Sequence, residues 1–147
     1  MRFLAAILLA VVSLSPPSSG KVYSQCELAK ELKCVYGFAE SSLADWVCLV
    51  QHASAYNTTA LTVNGGRPRS RNYGLFQITD YYWCESAIGT NECNIACSRL
   101  ADDDIADDVA CAKEIFRRQQ FRAWSGWRSY CENKNLSSYT RGCNLTC

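Results

Sequence analysis

The sequence predicts a single α+β domain, and three features of the 147-residue chain support this prediction. Apolar residues recur at helical spacing near both ends of the chain. Between them, residues 64–79 are rich in turn-forming, aromatic and β-branched residues, which favours a small antiparallel sheet. Ten cysteines are spread along the chain, and no internal repeat is present, so one disulfide-stapled unit is expected.

The first twenty residues have the composition of a secretory signal peptide. Arg2 precedes an apolar run from Phe3 to Val12, and small residues follow as far as Gly20. This run is much shorter than the ~20 residues of a membrane-spanning helix, so we expect cleavage near Gly20 and export from the cell. The predicted organisation is therefore a signal peptide at 1–20 and one folded domain at 21–147.

The folded domain carries no net formal charge. Arg2 is the only charged residue before Lys21, so residues 21–147 contain 14 basic and 14 acidic residues. General binding to nucleic acid or to membranes requires an excess of basic residues, so neither partner is expected, and we expect a monomer.

All ten cysteines lie within residues 21–147. An even number behind a signal peptide predicts five disulfides. The alternative is a metal cluster, but His52 adjoins no cysteine pair, and Cys93 and Cys97 lack the C-x-x-C spacing of zinc sites. Spacing alone leaves the pairing open.

Caps and apolar spacing place the helices. Ser24 and Glu27 form a capping box ahead of the first helix, which Gly37 is expected to end. Ser42 is expected to open the second helix, with Asp45 capping it. Two later helices are predicted, a long one from the spacing of Ile105, Val109, Ala112 and Phe116, and a short one from Trp124, Trp127 and Cys131.

The central stretch contains a turn and a strand signal. Asn64–Pro68 is turn-forming, and Asn72–Thr79 is expected to be extended. Arg67, Arg69 and Arg71 alternate and are expected on one face of the hairpin. That face is either simply solvated or suited to an anionic partner or cell-wall polymer.

Three N-glycosylation sequons occur, at Asn57, Asn135 and Asn144. Asn57 is expected at the end of a helix against the sheet and therefore poorly accessible. Asn135 and Asn144 are the predicted glycosylation sites.

Short motifs that combine aromatic residues, glycines and cysteines extend along almost all of residues 21–147. They are Lys21-Val-Tyr-x-x-Cys-Glu-Leu-Ala29, Trp46-Val-Cys48, Tyr73-Gly-Leu-Phe-Gln-Ile78, Trp83-Cys84, Cys93-Asn-Ile-x-Cys97, Cys111-Ala-Lys113, Ala123-Trp-x-x-Trp127 and Arg141-Gly-Cys143. With eight shared cysteine positions, they resemble the C-type lysozyme and α-lactalbumin family, glycoside hydrolase family 22. The resemblance implies a helical lobe and a small antiparallel β lobe with a cleft between them.

The resemblance also implies four disulfides. Two further cysteines lie near the first helix and at the C-terminus, which are adjacent in the family fold, so we infer a fifth bridge between them. The implied pairs are Cys26–Cys143, Cys48–Cys131, Cys84–Cys97 and Cys93–Cys111, and the inferred one is Cys34–Cys147.

Both catalytic carboxylates of the family are replaced. The resemblance places the general acid five residues after the cysteine of the second helix, where Ala53 stands. It places the second carboxylate immediately before Tyr-Gly, where Asn72 stands. Alanine cannot transfer a proton and a neutral amide cannot balance a cationic centre, so we expect no bacteriolytic turnover. His52 and Asp80 are the candidate substitutes, but adjacent helical residues point about 100° apart, which aims His52 elsewhere.

The sugar cleft is expected to remain. By resemblance it is lined by Gln77, Tyr82, Trp83, Ala123 and Trp124, which fits an N-acetylglucosamine-containing oligosaccharide or the bacterial cell wall. The residues alone leave a simpler interpretation open, in which Trp124 belongs to the core and Tyr82 is an exposed aromatic.

Five carboxylates are packed into the seven positions 102–108. Alone, this pattern equally indicates a solvated acidic helix start or a hard-cation site. The resemblance to α-lactalbumin and calcium-binding lysozymes implies structural Ca²⁺, held by the side chains of Asp102, Asp107 and Asp108 and by the carbonyls of Arg99 and Asp104.

The leading hypothesis is a secreted, calcium-binding, lysozyme-like protein that recognises a glycan or a partner and does not cleave it. The first alternative is a glycosidase with residual or altered activity against peptidoglycan. The second is a regulatory subunit like α-lactalbumin. It is disfavoured because Ala123-Trp-x-x-Trp127 and Arg141-Gly-Cys143 look like lysozyme.

Overall fold

The predicted α+β architecture is confirmed. A computed structural model describes residues 20–147, so the predicted signal peptide, apart from Gly20, lies outside the described residues. Four α-helices occur in this range: α1 (Gln25–Cys34), α2 (Glu40–Ser54), α3 (Ala106–Gln119) and α4 (Ser125–Tyr130). A three-stranded sheet lies between α2 and α3, with β1 (Leu61–Asn64), β2 (Ser70–Tyr73) and β3 (Ile78–Thr79). None of the described helices is long and apolar enough to cross a membrane.

The start of α1 follows the sequence. Ser24 Oγ accepts a hydrogen bond from the Glu27 backbone N–H at 3.3 Å, and Glu27 Oε2 accepts one from the Ser24 N–H at 3.4 Å. This reciprocal pair is the predicted capping box. The helix ends at Cys34, and Gly37 follows in the turn with a φ of 68°, a conformation that glycine adopts without strain.

The predicted start of α2 is wrong by two residues. Glu40 begins the helix, so Ser42 lies inside its first turn and donates a hydrogen bond to the Ala39 carbonyl at 3.2 Å. Asp45 does not cap the helix either. Its Oδ1 accepts a hydrogen bond from Trp127 Nε1 of α4 at 2.9 Å, a tertiary contact that the local sequence does not reveal.

The sheet is antiparallel in the order β1-β2-β3, but the predicted strand at 72–79 is interrupted. Gly74 has a φ of 71°, and a Cβ at this position would collide with the Leu100 carbonyl oxygen. The chain therefore turns through 74–77 before β3. The expectation for the arginines is also wrong, since only Arg71 lies in a strand, whereas Arg67 and Arg69 lie in the loop before β2.

The helices pack around one aromatic centre. Trp46 of α2 is 3% exposed, and five aromatic rings surround it with centroid distances of 4.8–5.9 Å. These rings come from the connection between α1 and α2, the turn after β2, helix α3 and the segment before α4, so this centre joins elements that are remote in sequence. They belong to Phe38, Phe76, Phe116, Phe121 and Trp124.

All five disulfides pair as expected, including the inferred fifth. Two of them join α1 to the C-terminal segment, and one joins α2 to the end of α4. The other two close shorter loops before and around α3. The pairs are Cys26–Cys143, Cys34–Cys147, Cys48–Cys131, Cys84–Cys97 and Cys93–Cys111.

Candidate functional site

A cleft of about 390 Å³ separates the sheet from the helices. Alternation along the strands directs Thr62, Asn64 and Asn72 to the cleft face, because residues two apart in a strand share a face. The opposite wall includes His52 and Ala53 of α2. The cleft is therefore formed where both lobes meet, as the resemblance implies.

No aspartate or glutamate of residues 20–147 lines this cleft. Ala53 occupies the helical wall, half-buried against the core. On the sheet, Asn72 and Asn64 exchange hydrogen bonds between their side-chain amides, at 3.1 and 3.2 Å. Asn72 Nδ2 also donates to Thr62 Oγ1 at 3.3 Å. The sheet wall thus presents neutral amides and a hydroxyl, whereas lysozyme-type hydrolysis would need a carboxylate there.

Gln77 supports the same polar network. Its Nε2 donates to the backbone carbonyls of Ala60 and Gly74 at 3.1 and 3.0 Å, and its Oε1 accepts from Thr62 Oγ1 at 2.7 Å. Both amide protons are engaged within the protein. Gln77 therefore offers an incoming ligand only the remaining acceptor capacity of Oε1.

The acidic loop contains an uncompensated buried carboxylate. Asp108 is fully buried, and neither of its carboxylate oxygens has a hydrogen-bond partner. Burial, with smaller contributions from the negative charges of Asp102 and Asp107, raises the pKa of Asp108 to about 8. A buried carboxylate is costly without a compensating charge, so the donor set fits a hard cation such as Ca²⁺.

The neighbouring acids separate into two groups. Asp103 turns away from the cluster, accepting hydrogen bonds from Thr58 Oγ1 at 2.6 Å and from the Lys21 backbone N–H at 2.7 Å. This agrees with its omission from the predicted ligand set. Asp107 Oδ2 lies 2.6 Å from Arg99 Nη2, an ion pair that lacks hydrogen-bond geometry and leaves this oxygen otherwise unpaired.

A model of the C-type lysozyme/alpha-lactalbumin family matches residues 21–143. The chain belongs to this family. It is 46% identical to "Lysozyme c-1" of Anopheles gambiae, over 92% of this chain and 95% of that protein. It is 44% identical to "Lysozyme C" of Allenopithecus nigroviridis, over 96% of this chain and 99% of that protein.

Solved lysozymes share the fold of this family member. The crystal structure of lysozyme from Equus asinus matches with a TM-score of 0.78 and 42% identity, covering 85% of this chain and all of that one. A canine milk lysozyme structure matches with the same TM-score and coverage at 41% identity. The lysozyme-like architecture predicted from the sequence is thereby confirmed.

Four of the five predicted sugar-contacting residues line the cleft of this lysozyme-family chain, and Tyr82 does not. Tyr82 is 49% exposed and lies beside Trp83, with ring centroids 6.4 Å apart. Trp124 is both core and cleft, since it is 8% exposed and its Nε1 donates to the Phe76 carbonyl at 2.8 Å. The four that line the cleft are Gln77, Trp83, Ala123 and Trp124.

His52 lines the cleft but is engaged with two tyrosines. Its ring stacks on Tyr130 with centroids 4.3 Å apart, and its Nε2 is 3.3 Å from Tyr139 Oη. These contacts, made to residues far along the chain, have no signal in the sequence around His52. Cys48 and Cys131 lie close enough to join His52 around a metal, but they are bonded to each other in a disulfide.

The other candidate substitute, Asp80, does not line the cleft. It is 6% exposed, and its Oδ1 accepts a hydrogen bond from the Arg71 backbone N–H at 2.9 Å. Its carboxylate therefore secures the β2–β3 connection.

Two of the three sequons are exposed. Asn135 and Asn144 lie on the surface, whereas Asn57 is half-buried and its Oδ1 accepts hydrogen bonds from the Thr59 N–H and hydroxyl, both at 3.0 Å. Asn135 and Asn144 remain the predicted glycosylation sites.

Proposed function

We propose that this lysozyme-family protein is secreted and binds an N-acetylglucosamine-containing glycan in its cleft without cleaving it. The observation that carries the proposal is the lining of the cleft, which retains tryptophans and amides but includes no carboxylate within residues 20–147. A polar and aromatic cleft is suited to recognition. Lysozyme-type hydrolysis needs two carboxyl groups across the scissile bond.

Loss of the proton donor alone has a large effect. General acid catalysis typically contributes 10²–10⁴-fold to a rate, and the methyl group of Ala53 contributes none of it. Asn72 supplies no negative charge to an oxocarbenium-like centre, and its amide is already held by Asn64 and Thr62. Because both losses act on one transition state, they need not multiply.

Nearby ionisable groups are poorly placed to substitute. The ring of His52 is occupied by Tyr130 and Tyr139, Asp45 accepts from Trp127 Nε1, and Asp80 accepts from a backbone amide. Each of these groups serves a contact inside the protein. Residual glycosidase activity through His52 is the alternative, and clearing of peptidoglycan that His52→Ala abolishes would support it.

Recognition of an acetylated sugar needs an aromatic face and a few directed polar groups. Trp83 and Trp124 supply aromatic surface, and the segment at Ala123 borders the same cleft. The Asn64–Asn72 amide pair adds neutral donors and acceptors on the opposite wall. This combination supports binding of chitin-type oligomers.

We also propose that the acidic loop binds structural Ca²⁺. The side chains of Asp102, Asp107 and Asp108 and the carbonyls of Arg99 and Asp104 would hold it. The ion would supply positive charge to a buried carboxylate that has no partner. Its proposed role is stability, since none of these residues lines the cleft.

The test is a pair of assays on the purified protein, with and without calcium. We expect no clearing of a peptidoglycan suspension and a measurable heat of binding to a chitin oligomer in titration calorimetry. Dose-dependent clearing by the unmodified protein overturns the proposal, and its abolition by His52→Ala would assign the activity to His52. Absence of a heat of binding at millimolar oligomer would contradict the proposed binding of the glycan.

A rebuilt pair of carboxylates sharpens this test. The double variant Ala53→Glu, Asn72→Asp is expected to gain bacteriolytic activity, because it returns an acid to each wall of the cleft. Ala53→Gln with Asn72 unchanged is the matched control, since it adds a similar volume without an acid. Equal activity of the two variants would contradict the proposed cause of inactivity.

A further inference from the structure

We propose that the outer face of the β1–β2 hairpin docks onto an anionic phospholipid surface. This face, called here the outer hairpin face, consists of Leu61, Val63 and Arg71, with the loop residues Arg67 and Arg69 at its tip. The inference goes beyond the proposed function, because the cleft uses the opposite face of the same hairpin.

Strand register places apolar and cationic side chains together. Val63 pairs directly with Arg71 across the two strands, and Leu61 pairs with Tyr73. Paired residues of an antiparallel ladder project to the same side, and residues two apart in one strand do so too. Leu61, Val63, Arg71 and Tyr73 therefore share one face, and none of them lines the cleft. Tyr73 is half-buried against the core, which leaves Leu61, Val63 and Arg71 as the exposed part of this face.

Two aliphatic side chains on this face lie largely in solvent. Leu61 is 53% exposed and Val63 is 59% exposed, and they lie on β1, an edge strand of the sheet. The cleft side of the same strand carries the polar Thr62 and Asn64. The hairpin is thus amphipathic with its apolar side outward, which suits contact with a lipid phase better than with water.

The charge of the hairpin is wholly positive. Between Asp45 and Asp80 the chain contains no acidic residue, and the three arginines are all exposed. None of them forms an ion pair with any residue of 20–147. Asp80, the acid closest to Arg71 along the chain, is 6% exposed and accepts from the Arg71 backbone N–H.

A local patch of this kind can attract an anionic surface even though residues 21–147 have no net charge. Charges are screened over about 8 Å at physiological ionic strength, so a surface responds to the nearest side chains and not to the whole molecule. The expectation of no membrane partner rested on net charge alone. The occupant is a phospholipid surface and not a phosphate-bearing polymer, because a polymer would leave the exposed aliphatic side chains without a role.

The test is sedimentation of the full-length mature chain with vesicles at fixed calcium. We expect binding to equimolar phosphatidylglycerol and phosphatidylcholine, weakened by salt, and little binding to phosphatidylcholine alone. Replacing Arg67, Arg69 and Arg71 by Gln should lower the partition coefficient on the order of 100-fold. Replacing Leu61 and Val63 by Ser should lower it roughly tenfold.

Matched control variants distinguish the effect of the hairpin arginines on vesicle binding from the effect of lowering the total positive charge. Arg128→Gln, Lys134→Gln, Arg141→Gln removes three exposed cations that also form no ion pair within residues 20–147, and it should retain binding. A variant with lysine at all three hairpin positions should retain it as well. Chitin-oligomer binding and the melting temperature report cleft integrity and folding, and neither should change in any hairpin variant.

Several results overturn the proposal. One is equal binding to anionic and neutral vesicles, and another is an equal loss in the hairpin and control triple variants. A third is an unchanged vesicle partition coefficient after the Leu61 and Val63 replacements, combined with tight binding to a soluble polyphosphate. That result would identify an anionic polymer as the occupant. Failure of glycan binding with lipid binding intact would contradict the proposed function alone.

Discussion

Replacing Asp108 with Asn should stabilise the calcium-free protein and abolish the stabilising effect of calcium. In the native chain, the Asp108 carboxylate is fully buried, and neither oxygen has a hydrogen-bond partner. Asparagine has nearly the same shape but no charge, so it lowers the desolvation cost. With calcium chelated, we expect Asp108→Asn to raise the free energy of unfolding by roughly 2 kcal/mol.

With calcium present, the native chain should be more stable than Asp108→Asn. A ligand at 100 times its dissociation constant stabilises the native state by about 2.7 kcal/mol. For a domain of this size, that corresponds to a rise in melting temperature of about 10 °C. The native chain should show this rise and Asp108→Asn should not, because the variant lacks one of the three proposed carboxylate ligands.

Thermal melts followed by circular dichroism, in chelator and in excess calcium, measure both effects. Asp104→Asn is the matched control, because the Asp104 side chain is exposed, bonds only to the Ala106 N–H among residues 20–147, and is predicted to use its carbonyl for the metal. It should keep the full calcium response. An identical melt of the native chain with and without calcium, or a full response in Asp108→Asn, would refute the reasoning.

Three further predictions concern stability. Replacing Cys34 and Cys147 by Ala should lower the free energy of unfolding by about 3 kcal/mol, the value for a closed loop of about 15 residues. The loop is this short because the other bridges already hold the C-terminus near α1. Chemical denaturation measures this cost, and a loss below about 1 kcal/mol would contradict the estimate. Tyr56→Phe should be neutral or stabilising by up to about 1 kcal/mol, since its buried hydroxyl has no partner in residues 20–147. Tyr23→Phe should destabilise by about 1 kcal/mol, since that hydroxyl donates to Glu31 at 3.0 Å, and the opposite ranking in the same assay would count against this account.

The walls of the cleft are ordered without an acidic side chain among residues 20–147. Thr62, Asn64 and Asn72 satisfy one another's hydrogen bonds, so the sheet wall needs no carboxylate to stay ordered. Ala53 packs against the core on the other wall. Neither replacement leaves an unpaired polar group, which explains how the fold accommodates both.

Most of the architecture and the composition of the cleft could be predicted from the sequence. The capping box of Ser24 and Glu27 and the spacing of the later helices are local signals, because they depend on residues a few positions apart. The disulfide pairing followed from the resemblance. The identities of Ala53 and Asn72 were visible in the same comparison of motifs.

Local signals failed where a distant residue decided the outcome. The sequence predicts that Asp45 caps α2, yet its carboxylate accepts a hydrogen bond from Trp127 of α4. The strand at 72–79 has suitable composition throughout, but the close approach of the Leu100 carbonyl requires glycine at position 74 and a turn there. Neither contact can be inferred from neighbouring residues, because the partner lies tens of positions away.

The sequence by itself determined the family, the cysteine framework and the absence of acids at two positions, since these depend only on which residue stands where. The tertiary structure alone decided which groups meet. It stacked His52 on Tyr130 and placed Arg71 opposite Val63. It also left the Asp108 oxygens without a hydrogen-bond partner. The physical reason is that burial and pairing depend on distances between elements, and these are set only when the whole chain packs.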